Sequence, residues 1–254
     1  MLEAHLRARL RERDILLMTH IVLGYPSFDD SRRVVEAMVE AGVDLVELQI
    51  PFSEPIADGP VILRANQRSL EAGATVERCL RFAEEVASAY DIPFLVMSYF
   101  NILYKFGLGN FTRTLESAGV RGAIVPDLPP EEAGEHLSAM REAQLDPIFI
   151  YSPNTTDQRM RDIARHAGGF VYCVARKGVT GAATGFSAVL DAYLARCRSA
   201  TSLPLALGFG VKRRSDVESL RGKAEIAVVG TQTIRVMDEH GVEAVGDFIS
   251  SLRT

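Results

Sequence analysis

Eight times along this chain a short apolar run gives way to a stretch with helical spacing, and that alternation limits the fold more than any other feature. Residues 15–24, ILLMTHIVLG, are almost continuously apolar and close on Gly-Tyr-Pro, the pattern of a strand buried on both faces. Ser27-Phe28-Asp29-Asp30 then opens a helix that runs to Gly42, with Val34, Val35, Met38 and Val39 on one stripe. Further strands are expected at 44–50, 92–99, 122–127, 146–151, 169–175, 203–210 and 224–230. Helices are expected from a Thr75 cap to about 89, near 109–118, from Pro130-Glu131-Glu132, from about 156 to 166, near 186–199 and near 213–221. After the eighth strand come a short helix and a final one near 242–252. Residues 2–12 have the look of an extra surface helix in front of the first strand.

Doubly buried strands joined by right-handed helical crossovers make a parallel sheet. Eight repeats in 254 residues, with no linker or low-complexity stretch, predict an α/β chain folded as a single-domain (β/α)₈ TIM barrel carrying an extra N-terminal helix. The runner-up is an open doubly wound sheet. That fold normally shows a glycine-rich turn after its first strand, whereas here the turn is Gly24-Tyr25-Pro26, with no GxGxxG.

Charge and cysteine usage exclude several classes of function. A net charge of −5 does not favour nucleic acid or an anionic membrane. The opening MLEAHLRARLRERD is charged throughout and has no apolar core of a signal peptide. No apolar run reaches the roughly 20 residues of a membrane span. Cys79, Cys173 and Cys197 are odd in number and lack CxxC spacing, so reduced thiols and a cytoplasmic setting are expected. The five histidines (5, 20, 136, 166 and 240) are scattered without ligand spacing, and no metal site is expected.

The chemistry is expected in the stretch 47–60, ELQIPFSEPIADGP. Glu47 is an acid inside an apolar strand, where burial without a partner raises a carboxyl pKa and suits it to proton transfer near neutral pH. Asp58 falls in a loop bent by Pro51, Pro55, Gly59 and Pro60, a polar setting in which it stays ionised. Two carboxylates in unlike surroundings divide acid and base roles. Equally, Glu47 suits a buried ion pair and Asp58 a helix cap. Strand alternation places Leu45, Glu47 and Gln49 on one face, so a Glu47 that points into the barrel brings Gln49 within reach of the ligand or of Asp58.

A second group of residues suits an anion. Strand seven ends in Gly208-Phe209-Gly210 and strand eight in Gly230-Thr231. Main-chain N–H groups at such turns, with a helix N-terminus, hold phosphate without Lys or Arg, and these two loops are its recurrent position in barrels. The glycine-rich loop 176–185 after strand six is placed to act as a lid. Tyr172, on the face shared with Phe170 and Val174, is placed to bond a ligand or Glu47, or simply to pack. His20, in strand one, either faces the site or is satisfied in the core.

At these residues the chain resembles the tryptophan synthase alpha chain family. The resemblance runs through ELQIPFSEPIADGP, PDLPPEE (126–132), Tyr172, RKGVTG (176–181), GFG (208–210) and the glycine ending strand eight, and so covers essentially the whole chain in order. It implies a (β/α)₈ barrel that splits indole-3-glycerol phosphate into indole and glyceraldehyde 3-phosphate. It also implies a pyridoxal-phosphate beta chain as partner in an αββα complex, and no cofactor in this chain. By position, Glu47 resembles the general acid/base, Asp58 the second catalytic carboxylate and Tyr172 a site tyrosine. Gly181, Gly208, Phe209, Gly210, Gly230 and Thr231 fall at phosphate-binding positions, and Met97, Ile124 and Ile150 at the indole wall. His20 and Gln49 are expected at the indole pocket too, where the family commonly has an aromatic or apolar residue and a glycine. Thr231 stands where serine is common, and Glu54 replaces a frequent aspartate in the loop expected to meet the beta chain.

Two other functions fit parts of this pattern. Another phosphate-binding barrel is one, such as an isomerase or an indole-glycerol-phosphate synthase, though the synthase wants a lysine inside the barrel and no strand carries one. A subunit that mainly binds and activates a partner is the other.

Overall fold

The computed structural model describes residues 2–175, 183–208 and 210–253, and for 183–187 the backbone alone. In chain order the elements are α1 (Leu2–Arg9), β1 (Leu16–Val22), α2 (Phe28–Glu40), β2 (Leu45–Gln49), α3 (Pro60–Glu71), α4 (Val76–Ala89) and β3 (Phe94–Met97). Then follow α5 (Phe100–Phe106), α6 (Leu108–Ser117), β4 (Gly122–Ile124), α7 (Gly134–Glu142), β5 (Asp146–Tyr151), α8 (Asp157–Ala164) and β6 (Val171–Val174). The chain finishes with α9 (Ala183–Ala200), β7 (Leu205–Gly208), α10 (Arg214–Glu218), β8 (Ile226–Val229), α11 (Thr231–His240) and α12 (Ala244–Leu252). The eight strands pair in sequence order, all parallel, and β8 returns to β1 to close the barrel. The open doubly wound alternative is thereby excluded.

Alternation along the strands sorts the side chains into two cores. Met18, Leu45, Leu95, Met97, Ile124, Ile148, Phe170, Ala206, Ile226 and Val228 fill the barrel interior. Val46, Leu48, Val96, Val171, Cys173 and Leu207 face the surrounding helices instead. The register sets His20 opposite Glu47, Glu47 opposite Leu95, and Gln49 opposite Met97. The expected inward face of β2 therefore holds: Leu45 is in the floor, and Glu47 and Gln49 lie above it toward the C-terminal end. All three cysteines are buried free thiols.

Several elements depart from the sequence expectation. α1 is not a surface helix. Leu2 and Leu6 are 1% and 0% exposed and pack, with Leu10, into the same cluster as the barrel floor. Burying each leucine stabilises the fold by about 2 kcal/mol. The amide of Leu2 donates to Asp146 Oδ2 at 2.9 Å, and Gly169, at φ 64°, leaves room that a Cβ would take to within 2.7 Å of Leu2. The helix expected at Pro130 begins at Gly134, because residues 129–133 are spent on turns in which Glu132 N–H bonds Pro129 O and Ala133 N–H bonds Pro130 O. Two helices were not anticipated, α3 and α5, and the short helix after β8 is ten residues long.

Candidate active site

A cavity of about 440 Å³ opens at the C-terminal ends of the strands. Its lining includes His20, Glu47, Asp58, Met97, Ile124, Ile150, Tyr172, Gly208, Gly210, Gly230 and Thr231. That volume suits a ligand of small-metabolite size. A second cavity of about 390 Å³ lies beside the N-terminal ends of β1 and β8, lined by Glu12, Arg13, Asp14, Arg221 and Arg253 among others. In barrels the loops that vary with chemistry sit at the other end, so the first cavity is the candidate site.

β2 delivers Glu47 to the cavity floor, where it is 5% exposed and its Oε2 has no hydrogen-bond partner among the described residues. Burial pushes its pKa up to about 7, the neighbouring Asp58 charge adds to the rise, and His20 opposes it. Both protonation states are then populated at neutral pH, the requirement for a group that gives and takes a proton. Asp58 comes from the loop between β2 and α3. It is less exposed than a polar turn implies, and burial raises its pKa too, opposed by hydrogen bonds from Gln49 and Tyr99 and by His20. Gln49 Nε2 donates to Asp58 Oδ2 at 2.7 Å, and the Tyr99 hydroxyl donates to the same oxygen at 3.1 Å.

Tyr172 stands on β6 with its phenol turned toward the two carboxylates. Burial first, then the charges of Glu47 and Asp58, hold its pKa well above the usual tyrosine value, so it remains a neutral donor. Its place depends on Gly208: a Cβ there would lie 3.1 Å from Tyr172 Cε1 and 3.2 Å from its hydroxyl. Met97, Ile124 and Ile150 form an apolar wall with Val174 and Val228, the kind of surface a flat aromatic ring requires. On the opposite rim Gly208, Gly210, Gly230 and Thr231 come together, with Gly230 as N-cap of α11 and Gly210 at φ 85°. No Lys or Arg is among the described lining residues, and glycine turns at a helix N-terminus are a setting that suits an anion.

Gly181, Phe209 and most of the loop 176–185 lie outside the described residues. Gln49 does not line the cavity: it is 0% exposed and sits behind Asp58. Tyr99 and Asn66 were missed from the sequence although both belong to the network around Asp58. Tyr99 had a signal, a hydroxylated aromatic at the C-terminal end of a barrel strand. Asn66 had none, since the sequence reading assigns no element between Pro60 and the Thr75 cap. Among the described residues no three His, Cys, Asp or Glu side chains converge as a metal-holding group.

Comparison with known proteins gives one consistent result. The tryptophan synthase alpha chain family model matches residues 6–248. The chain is 63% identical to the tryptophan synthase alpha chain of Syntrophotalea carbinolica over 253 residues, covering 100% of both. It is 60% identical to that of Desulforapulum autotrophicum, covering 99% of this chain and 100% of the relative. Among solved structures it resembles a tryptophan synthase of M. tuberculosis at TM-score 0.91 and 31% identity, covering 99% of this chain and 96% of the other. It also resembles a chain of the tryptophan synthase complex from Pyrococcus furiosus at TM-score 0.86 and 29% identity, covering 93% and 97%.

Proposed function

Because the chain belongs to the tryptophan synthase alpha chain family, lyases that cleave indole-3-glycerol phosphate in tryptophan biosynthesis, we propose that Glu47 and Asp58 carry the cleavage, with Tyr172 beside them. The carrying observation is a buried carboxyl with a pKa of about 7 in one cavity with a second carboxylate, opposite a glycine rim. Breaking the bond to an aromatic carbon first requires protonation of indole C3. Glu47 supplies that proton, and its carboxylate then accepts one from the glycerol hydroxyl as the C–C bond breaks and the aldehyde forms. Asp58 stabilises the cationic ring through the ring N–H, an electrostatic contribution set in place before reaction. The Tyr172 hydroxyl donates to the oxygen-bearing part of the substrate. Met97, Ile124 and Ile150, with His20 at the edge, bound the indole. The phosphate is held by the N–H groups of Gly208, Gly210, Gly230 and Thr231, with Gly181 and Phe209 as further contributors.

The chain works with a beta chain, which we place in an αββα complex in the cytoplasm; no described helix is long and apolar enough to cross a membrane. Ile56 and Tyr104, exposed at 81% and 70%, support a partner surface, since they follow the C-terminal ends of β2 and β3 beside the mouth. The whole chain acts as one domain. The test is indole release from indole-3-glycerol phosphate by the parent chain, Glu47→Gln and Asp58→Asn, each with and without a beta chain. Variants as active as the parent would remove both carboxylates from the mechanism, and activity confined to the mixture would point to a mainly partner-activating subunit.

A further inference from the structure

We propose that Gln49 and His20 are positioning residues for Asp58, acting as one hydrogen-bonded unit in which His20 holds the Gln49 amide and the amide holds the carboxylate. This rests on the reading of Asp58 as a catalytic group. The unit can be built from the backbone inward. The Phe52 N–H can only donate, so the Asn66 atom 2.8 Å from it is Oδ1, and Asn66 Nδ2 donates to the Ile62 carbonyl at 2.9 Å. Facing that Oδ1 at 3.5 Å, Gln49 must present Nε2, whose other N–H meets Asp58 Oδ2 at 2.7 Å. Gln49 Oε1 is thereby turned to His20 Nε2 at 2.7 Å. An acceptor there needs a donor, so His20 carries its proton on Nε2.

Every polar atom of the fully buried Gln49 side chain is engaged, and a turned amide would set oxygen against both Asp58 and Asn66. Asp58 ends a turn in which its own N–H bonds the Pro55 carbonyl at 3.1 Å and the Ala57 N–H bonds the Tyr99 hydroxyl at 3.1 Å, and neither bond orients the carboxylate. Side chains from β1, β2 and α3, with Tyr99 after β3, do that instead. Gln49 and Tyr99 both donate to Oδ2, which leaves Oδ1 for the substrate. Losing the His20 donor leaves a buried acceptor unpaired and frees the amide to turn. A misplacement of about 1 Å in a reacting group costs on the order of 10²-fold in rate.

The experiment measures kcat and KM for indole-3-glycerol phosphate in the full chain, with glycerol 3-phosphate affinity as a second readout. His20→Gln keeps a donor three bonds beyond Cβ, as Nε2 is, whereas His20→Asn stops one bond short. The expected result is a kcat loss of roughly 10- to 100-fold in H20N that H20Q recovers in large part, with glycerol 3-phosphate affinity unchanged in both. Equal kcat in H20N and H20Q, or kcat and glycerol 3-phosphate affinity falling together, overturns the proposal. Gln49→Leu keeps the bulk of the amide and removes its bonds, so a parental kcat in Q49L overturns it whether or not the His20 variants fold. Asp58→Asn separates the two ideas. An active D58N removes the catalytic role, while an inactive D58N with fully active Q49L leaves that role standing and removes the positioning unit.

Discussion

Glu47 stands directly across the β1–β2 ladder from His20, yet its Oε2 has no hydrogen-bond partner among the described residues. A carboxyl held this way is easier to protonate than to pair. With its pKa near 7, the acid form that must deliver the first proton is lost as pH rises. For the parent chain, kcat/KM for indole-3-glycerol phosphate is expected to fall about tenfold per pH unit on the alkaline side, with a midpoint near pH 7. A profile flat from pH 6 to 9 would contradict the assignment of Glu47 as the acid.

Replacing that carboxyl separates activity from stability. Glu47→Gln is expected to lower kcat by ~10²–10⁴-fold or more, the range for loss of an acid/base group. The same change should stabilise the protein. The folded pKa of about 7 lies above the ordinary 4.5, so the folded state binds the extra proton and is favoured at low pH. That advantage is lost as pH rises from about 4.5 to 7, and above pH 7 the ionised group costs about 3 kcal/mol. Melting curves of E47Q and parent should therefore diverge by on the order of 5 °C or more at pH 8 and converge near pH 4.5.

The glycine rim is tested by charge and by bulk separately. Gly210 holds φ 85° with no atom of the described residues within 4 Å of where a Cβ would stand, so among them added volume meets only backbone strain. Gly210→Ala should cost about 1 kcal/mol in stability while keeping most phosphate affinity. Gly210→Asp carries the same strain plus an anion and should weaken glycerol 3-phosphate binding at least tenfold beyond G210A by titration calorimetry. Equal binding in the two variants would put the phosphate elsewhere.

Leu6 offers a control far from the chemistry. It is 0% exposed beneath the barrel, so Leu6→Ala should lower unfolding free energy by about 2–5 kcal/mol in denaturant titration. Its kcat should stay within about twofold, since the packed floor separates it from the cavity. A large kcat loss in a well-folded L6A would show the floor to be mechanically coupled to the site.

The period of two in Leu45-Val46-Glu47-Leu48-Gln49 made the inward face of β2 readable before any coordinates, and with it Glu47. The same reasoning could not say what Gln49 would bond. Its partner His20 is 29 residues away on another strand, and only barrel closure brings the two to 2.7 Å. α3 escaped notice because Pro55, Gly59 and Pro60 look like loop, although proline is well suited to the first turn of a helix. Its buried stripe also carries Asn66 and Ser69, polar residues that blur the apolar period. At α1 the failure was one of scale: an eight-residue helix with only two leucines buried has too little apolar stripe to announce that it closes a barrel.

That small closure governs traffic. With Leu2, Leu6 and the layer of Phe170, Ile148 and Leu95 stoppering one end, the interior is a cul-de-sac. Among the described residues the cavity that reaches Glu47 opens at the C-terminal ends of the strands, so indole-3-glycerol phosphate is expected to enter from that end. A neighbouring enzyme that captures the indole directly is expected to seat itself at that end.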